Sequence, residues 1–188
     1  VDAGEMGRVL GTDASVPVAA SYPDHAITER FNYLTAFPLA RSVAATPGGV
    51  DGRIAEAFVE TGARSWAEAD IDRLTTAGEV ELDEAEGDRP GPIVIGLAVA
   101  APAETEPADA ETAADVATPA ADALPPETRV AVIGDADFVA NFALGIQGNS
   151  DLFLNTMNWL AQQENLVAIR AREPEDRRIT LTAGQQQR

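Results

Sequence analysis

The sequence predicts an α/β domain, on three observations. Two nearly unbroken apolar runs, Pro92–Ala100 and Arg129–Gly134, read as strands covered on both faces, as in α/β sandwiches. The segment Ser150–Gln163 places apolar residues at helical spacing opposite a polar stripe. A chain of 188 residues with 45% hydrophobic content can bury one ordinary core, so residues 1–188 are expected to form one domain.

Taken in chain order, Val16–Ala20 is a short strand candidate and Phe37–Val43 another. Between them, His25–Phe31 follows Tyr22-Pro23-Asp24 and reads as a short helix capped by Asp24. Ala55–Thr61 reads as a strand, although Arg53–Thr61 also fits a helix ended by Gly62. Arg89-Pro90-Gly91 opens the first apolar run and Pro125-Pro126 precedes the second. For the helix, Asn149, Ser150 and Asp151 offer N-cap oxygens. Its expected core stripe is Phe153, Met157, Leu160 and Ala161, widened by Leu152 and Trp159, with Asn155, Asn158 and Gln162 opposite. Leu166–Ala171 is a further strand candidate, and Ile179–Thr182 is a short strand or the start of a departing helix.

One segment differs in kind. Residues 102–127 hold seven acids, five prolines, no basic residue and no aromatic. Such a stretch buries too little apolar area to offset the entropy of ordering, and it reads as a disordered acidic insertion between two strands. The acids of Glu79–Asp88 read as a solvated loop.

Charge and composition exclude several functions. Thirty-one acids stand against thirteen basic residues, all Arg, for a net charge of −18. Phosphate backbones need the opposite sign, so nucleic acid is excluded as a partner and anionic membrane surfaces are disfavoured. The chain has no Cys and a single His, His25, which removes thiolate metal sites, Cys nucleophiles and His clusters. His25 is expected to cap or pack. Without Lys there is no phosphate-binding P-loop, and no G-x-S-x-G elbow is present. The longest apolar stretch, Ile93–Ala103, is broken by Gly96 and Pro102 and falls short of the ~20 residues of a spanning helix. The chain begins at Val1 with neither Met nor a signal pattern, so it reads as a fragment or processed product.

The best polar cluster lies in Val132–Asn141. A strand ends at Gly134 and acids follow at once, and ligands of open α/β sheets bind at the carboxyl ends of strands. Asp135 and Asp137 could hold a hard cation through oxygen ligands, with Asn141 near the same rim. They fit equally well as turn residues accepting backbone N–H bonds. The chemical reading would make the chain a metal-dependent hydrolase using Asp135 and Asp137.

A set of phrases occurs in order along residues 8 to 185. It comprises Tyr22-Pro-Asp-His-Ala-Ile-Thr-Glu-Arg-Phe31, Thr35-Ala-Phe-Pro-Leu-Ala-Arg-Ser-Val43, Ala63-Arg-Ser-Trp-Ala-Glu68, Gly91-Pro-Ile-Val-Ile95, Val132-Ile-Gly-Asp-Ala-Asp-Phe138, Gly148-Asn-Ser-Asp-Leu-Phe-Leu-Asn155 and Glu173–Thr182. The set resembles the auxiliary, substrate-binding-like component of uncharacterised ABC-type transport systems, a group that includes the gliding-motility auxiliary proteins. The resemblance implies a layered sandwich like class I glutamine amidotransferases or flavodoxin, without their catalytic residues. It implies a non-enzymatic domain at the extracytoplasmic, periplasmic face of the bacterial inner membrane, engaging a partner or ligand beside a permease. The implied partners are ABC permease or ATPase subunits, with membrane attachment through an anchor outside this chain; no cofactor or metal is implied. In the family an α/β half precedes the segment matching Val1, so the sheet is expected to be incomplete at its N-terminal side. An exposed edge would then be open to pairing with a second copy.

Overall fold

The computed structural model describes Val1 and residues 14–77, 80–103 and 126–163. It mixes small sheets with a few helices, an α/β character in the broad sense. β1 (Val18–Ala19) and β2 (Thr35–Ala36) form a short ribbon. β3 (Glu56–Glu60), β6 (Val94–Pro102) and β7 (Glu127–Ile133) form the central sheet in the order β3-β6-β7. β4 (Trp66–Ala67) and β5 (Arg89–Pro90) form a second ribbon. Every ladder among the described residues is antiparallel. Helix α1 spans Ile71–Ala77 and α2 spans Asn149–Leu160.

The strands expected at Ala55–Thr61, Pro92–Ala100 and Arg129–Gly134 are all present. β6 and β7 run further toward each other than the composition suggests, because Pro102 pairs with Glu127 and Ala103 N–H donates to the Pro126 carbonyl. Of the expected acidic insertion, residues 104–125 lie outside the described residues, as do the strand candidates Leu166–Ala171 and Ile179–Thr182. Double-sided burial fails for β7. Ala131 and Ile133 pack on the core while Val130 and Val132 are 49% and 50% exposed, the alternation of a one-sided antiparallel strand.

The core holds Ile27, Phe37, Phe58, Val59, Ile95, Phe138, Leu152 and Trp159. A bulge in β3 lets neighbouring Phe58 and Val59 both reach it. Gly96 makes room for them, since a Cβ there would lie 3.1 Å from both side chains. The helix at its border is rotated from expectation. Leu152, Thr156 and Trp159 are buried, together with Asn149, while Met157 is 46% exposed and Phe153 is also turned outward. Both faces of α2 carry apolar residues, so periodicity left the choice to packing. The face presenting the larger Trp159 wins; its indole packs edge-on to His25.

Three more expectations are corrected. His25–Phe31 is a run of turns, not a helix. His25 Nδ1 accepts the Ile27 N–H and the Thr28 hydroxyl donates to the Pro23 carbonyl, bonds that compete with helical pairing. Phe37–Val43 is not one strand. Phe37 and Leu39 donate to Pro17 and Ser15 beside β1, then Leu39, at φ 56°, turns the chain away. Arg41 and Val43 next donate to Gly134 and Val94, so residues 40–43 strap across the ends of β6 and β7. In the Glu79–Asp88 loop, Asp88 is buried, its oxygens accepting the Ala69 and Asp83 N–H groups. Burial alone would push its carboxyl up, but these bonds outweigh it and hold it below the ordinary value. Helix α1, unanticipated from sequence, starts where the Asp70 carboxylate accepts the Arg73 N–H.

Candidate functional site

The chain leaves β7 at Gly134, whose N–H donates to Ile95 and whose carbonyl accepts from Arg41. A Cβ at this position would overlap the Arg41 carbonyl, so only glycine lets the strap lie so close. Asp135 follows directly. Its Oδ1 accepts the Asp137 N–H at 2.6 Å, and Asp137 opens a 3-10 turn, Asp137–Val139, that buries Phe138. This is the turn arrangement that the sequence allowed as one of two readings. The other Asp135 oxygen is buried and meets no hydrogen-bond partner, and burial pushes the carboxyl above its ordinary value, which opposes a negative charge there. Asp137 and Asn141 are exposed. No group of three or more His, Cys, Asp and Glu suited to a metal occurs among the described residues. The hydrolase alternative therefore rests on two adjacent carboxylates, one already committed to its own loop.

Asn149 was expected to cap α2. The N-cap is instead Gly148, with no side-chain cap bond, and Asp151 alone supplies an acid in the first turn. The Asn149 side chain is fully buried and turned inward. In the β1–β2 ladder Phe37 N–H bonds Pro17, so Ala36, one residue earlier, points its own N–H and carbonyl away from β1. The Asn149 amide meets both, accepting from Ala36 N–H at 2.9 Å and donating to its carbonyl at 3.0 Å. Its amino group also reaches the carbonyls of Phe138 and Ala143. One side chain thus does the work of a neighbouring strand and ties β2, the 3-10 turn and α2 together.

The feature sequence reasoning missed is a cavity of about 420 Å³ between the strap, β4–β5 and α1. Its walls include Leu39, Trp66, Leu74 and Ile95, and its polar lining includes Arg41, Ser42 and Arg89. Arg89 lies on β5 and its Nη2 donates to Ser42 Oγ at 2.6 Å, which fixes the guanidinium against the strap. Glu68 also lines the cavity, but its two oxygens accept from Trp66 Nε1 and Asp70 N–H. Asp135, Asp137 and Asn141 are not among the lining residues. The available signal was a lone Arg41 inside the apolar phrase Phe37–Val43, which strand periodicity does not require.

Among the described residues no helix is long and apolar enough to cross a membrane. Comparison of the chain with protein-family models, curated proteins and solved structures finds no match.

Proposed function

We propose that this chain is a non-enzymatic binding domain, the extracytoplasmic part of a membrane-anchored accessory protein of an ABC-type transport system. It engages a ligand or partner beside the permease, with the anchor outside this chain. The observation that carries the reading is the 420 Å³ cavity, a size within the roughly 300–1,000 Å³ of small-molecule sites. The ordered phrases from Tyr22 to Thr182 support the transport class. A finer fold, the layered sandwich of the glutamine amidotransferase and flavodoxin type, belongs to the same proposal. The layering draws support from α2 packing on one face of the β3-β6-β7 sheet through Trp159 and Leu152, while the antiparallel ladders of that sheet depart from the mostly parallel sheet of the flavodoxin type.

The test is crosslinking of the full-length gene product in its native membranes. Capture of a multi-span permease or its ATPase subunit is the expected result; repeated capture of cytosolic enzymes alone overturns the reading. Self-association through the outer strand β7, whose Val130 and Val132 are half exposed, is the accompanying proposal. Sedimentation over a range of concentrations checks it, and a monomer throughout removes it.

A further inference from the structure

We infer that the cavity between the strap and the β4–β5 ribbon binds a monoanionic amphiphile, a small carboxylate with an apolar tail. The inference rests on the reading of the chain as a binding domain and names the ligand class of its cavity. The chain carries eighteen more negative than positive charges, so an exposed guanidinium has abundant acids to pair with. Arg53 pairs with Asp51 and Arg129 with Glu127. Arg41 and Arg89, like Arg30, Arg64 and Arg73, have no carboxylate within ion-pair distance among the described residues, but of these five only Arg41 and Arg89 are brought to one cavity, from sequence positions 48 apart. The nearby acid, Glu68, is turned onto Trp66 and Asp70 instead.

Both arginines stand on anchored backbone, and the Arg89 guanidinium is itself held before any ligand arrives. The Arg41 backbone is fixed by its bond to Gly134 and by that of Val43 to Val94. Arg89 is fixed by pairing with Ala67 and by the Ser42 hydroxyl. A held planar donor, as at Arg89, favours carboxylate recognition, because less freedom is lost on binding. Behind them the walls are apolar: Trp66 and Ile95 are buried, and Leu39, 61% exposed, stands at the mouth. An acyl or aryl tail therefore enters and its charged head stays at the rim. Charge count selects among oxyanions. The lining side chains Arg41, Arg89 and Glu68 sum to one positive charge, which balances one carboxylate, whereas the negative field of the remaining protein opposes a dianionic phosphate monoester more strongly.

The test is calorimetric titration with sodium octanoate, 1-octanol and octyl phosphate, using the parent protein and an R41Q/R89Q double variant. Both arginines are exposed, so the unfolding midpoint of the variant should stay near that of the parent. The expected result is octanoate binding that weakens at least tenfold in the variant, octanol binding that does not change, and octyl phosphate binding weaker than octanoate. A Leu74→Trp variant, which fills the cavity, should lose octanoate. Equal binding of octanoate by parent and double variant, or tighter binding of octyl phosphate, overturns the carboxylate assignment and leaves the binding-domain reading intact. Absence of binding by all three probes overturns the assignment and the cavity's role together, and the membrane crosslinking then tests the transport reading independently.

Discussion

Replacing Asn149 with alanine removes a side chain that no water reaches and that bonds four backbone groups. Its oxygen accepts from Ala36 N–H, and its amino group serves the carbonyls of Ala36, Phe138 and Ala143. Two amino protons shared among three carbonyls, with one accepted bond, amount to about three hydrogen bonds, each contributing ~1 kcal/mol net. The Ala36 N–H is left buried without a partner, a further ~1–3 kcal/mol. The expected loss is therefore about 4–6 kcal/mol, a large share of the ~5–15 kcal/mol that holds an ordinary domain together. Urea unfolding followed by tryptophan fluorescence measures it, because Trp159 sits in the same core. An Asn149→Asp variant sharpens the result. It keeps an acceptor but turns negative oxygen toward three carbonyls, so it should be at least as damaging at neutral pH. Acid should rescue it partly: burial raises the folded pKa of the new carboxyl, so stability is complete below the unfolded value of about 4 and is lost as pH rises from there through the folded value. An Asn149→Ala variant within ~1 kcal/mol of the parent would refute the strand-substitute role assigned to this amide.

Three further outcomes follow from the same geometry. Arg129 bonds Glu127 through Nε and the Trp159 carbonyl through Nη1 at the C-terminal end of α2, and its guanidinium lies over the Trp159 ring. Arg129→Ala should cost about 2–4 kcal/mol in denaturant titration, and Arg129→Lys should recover less than half, since an ammonium lacks the planar fork. Burial holds the His25 imidazole below the ordinary histidine value, against the pull of Glu56 and Asp24 and helped by Arg129. Its stabilising contribution is thus complete above ~6.5 and is lost as pH falls from there toward the folded value, so His25→Gln should flatten the pH dependence of the unfolding midpoint between neutral and acid buffers. Asp135→Asn keeps the acceptor for Asp137 N–H and removes a charge that burial disfavours. Its melting temperature at neutral pH should equal or exceed that of the parent; a clear drop would show that the charged carboxylate has a favourable partner.

The strands at 92–100 and 129–134 and the helix near 150–163 were legible because each is a long apolar pattern bounded by Gly, Pro or polar residues, whereas Ala55–Thr61, with two acids, fitted strand or helix until its ladder with β6 decided it. The expected chemistry at Asp135 and Asp137 came from the right place in the fold, a strand end, but two acids in a tight turn have the same sequence pattern whether they serve a ligand or their own backbone. Arg129 was read only as the start of a strand, although its charge on a buried-facing position was the available hint.

Sequence alone settled the acidic character, the absence of thiol, lysine and clustered imidazole chemistry, and the positions of the longest elements, because composition and local periodicity act over a few residues. Three things were decided only by the tertiary structure. Packing chose which apolar face of α2 is buried, setting Trp159 inside and Met157 outside. The free peptide edge of Ala36 drew Asn149 inward instead of leaving it as a cap. The strap and the β4–β5 ribbon brought Arg41 and Arg89 to one cavity. Each depends on contacts between residues far apart in the chain, and no local pattern encodes such a neighbour.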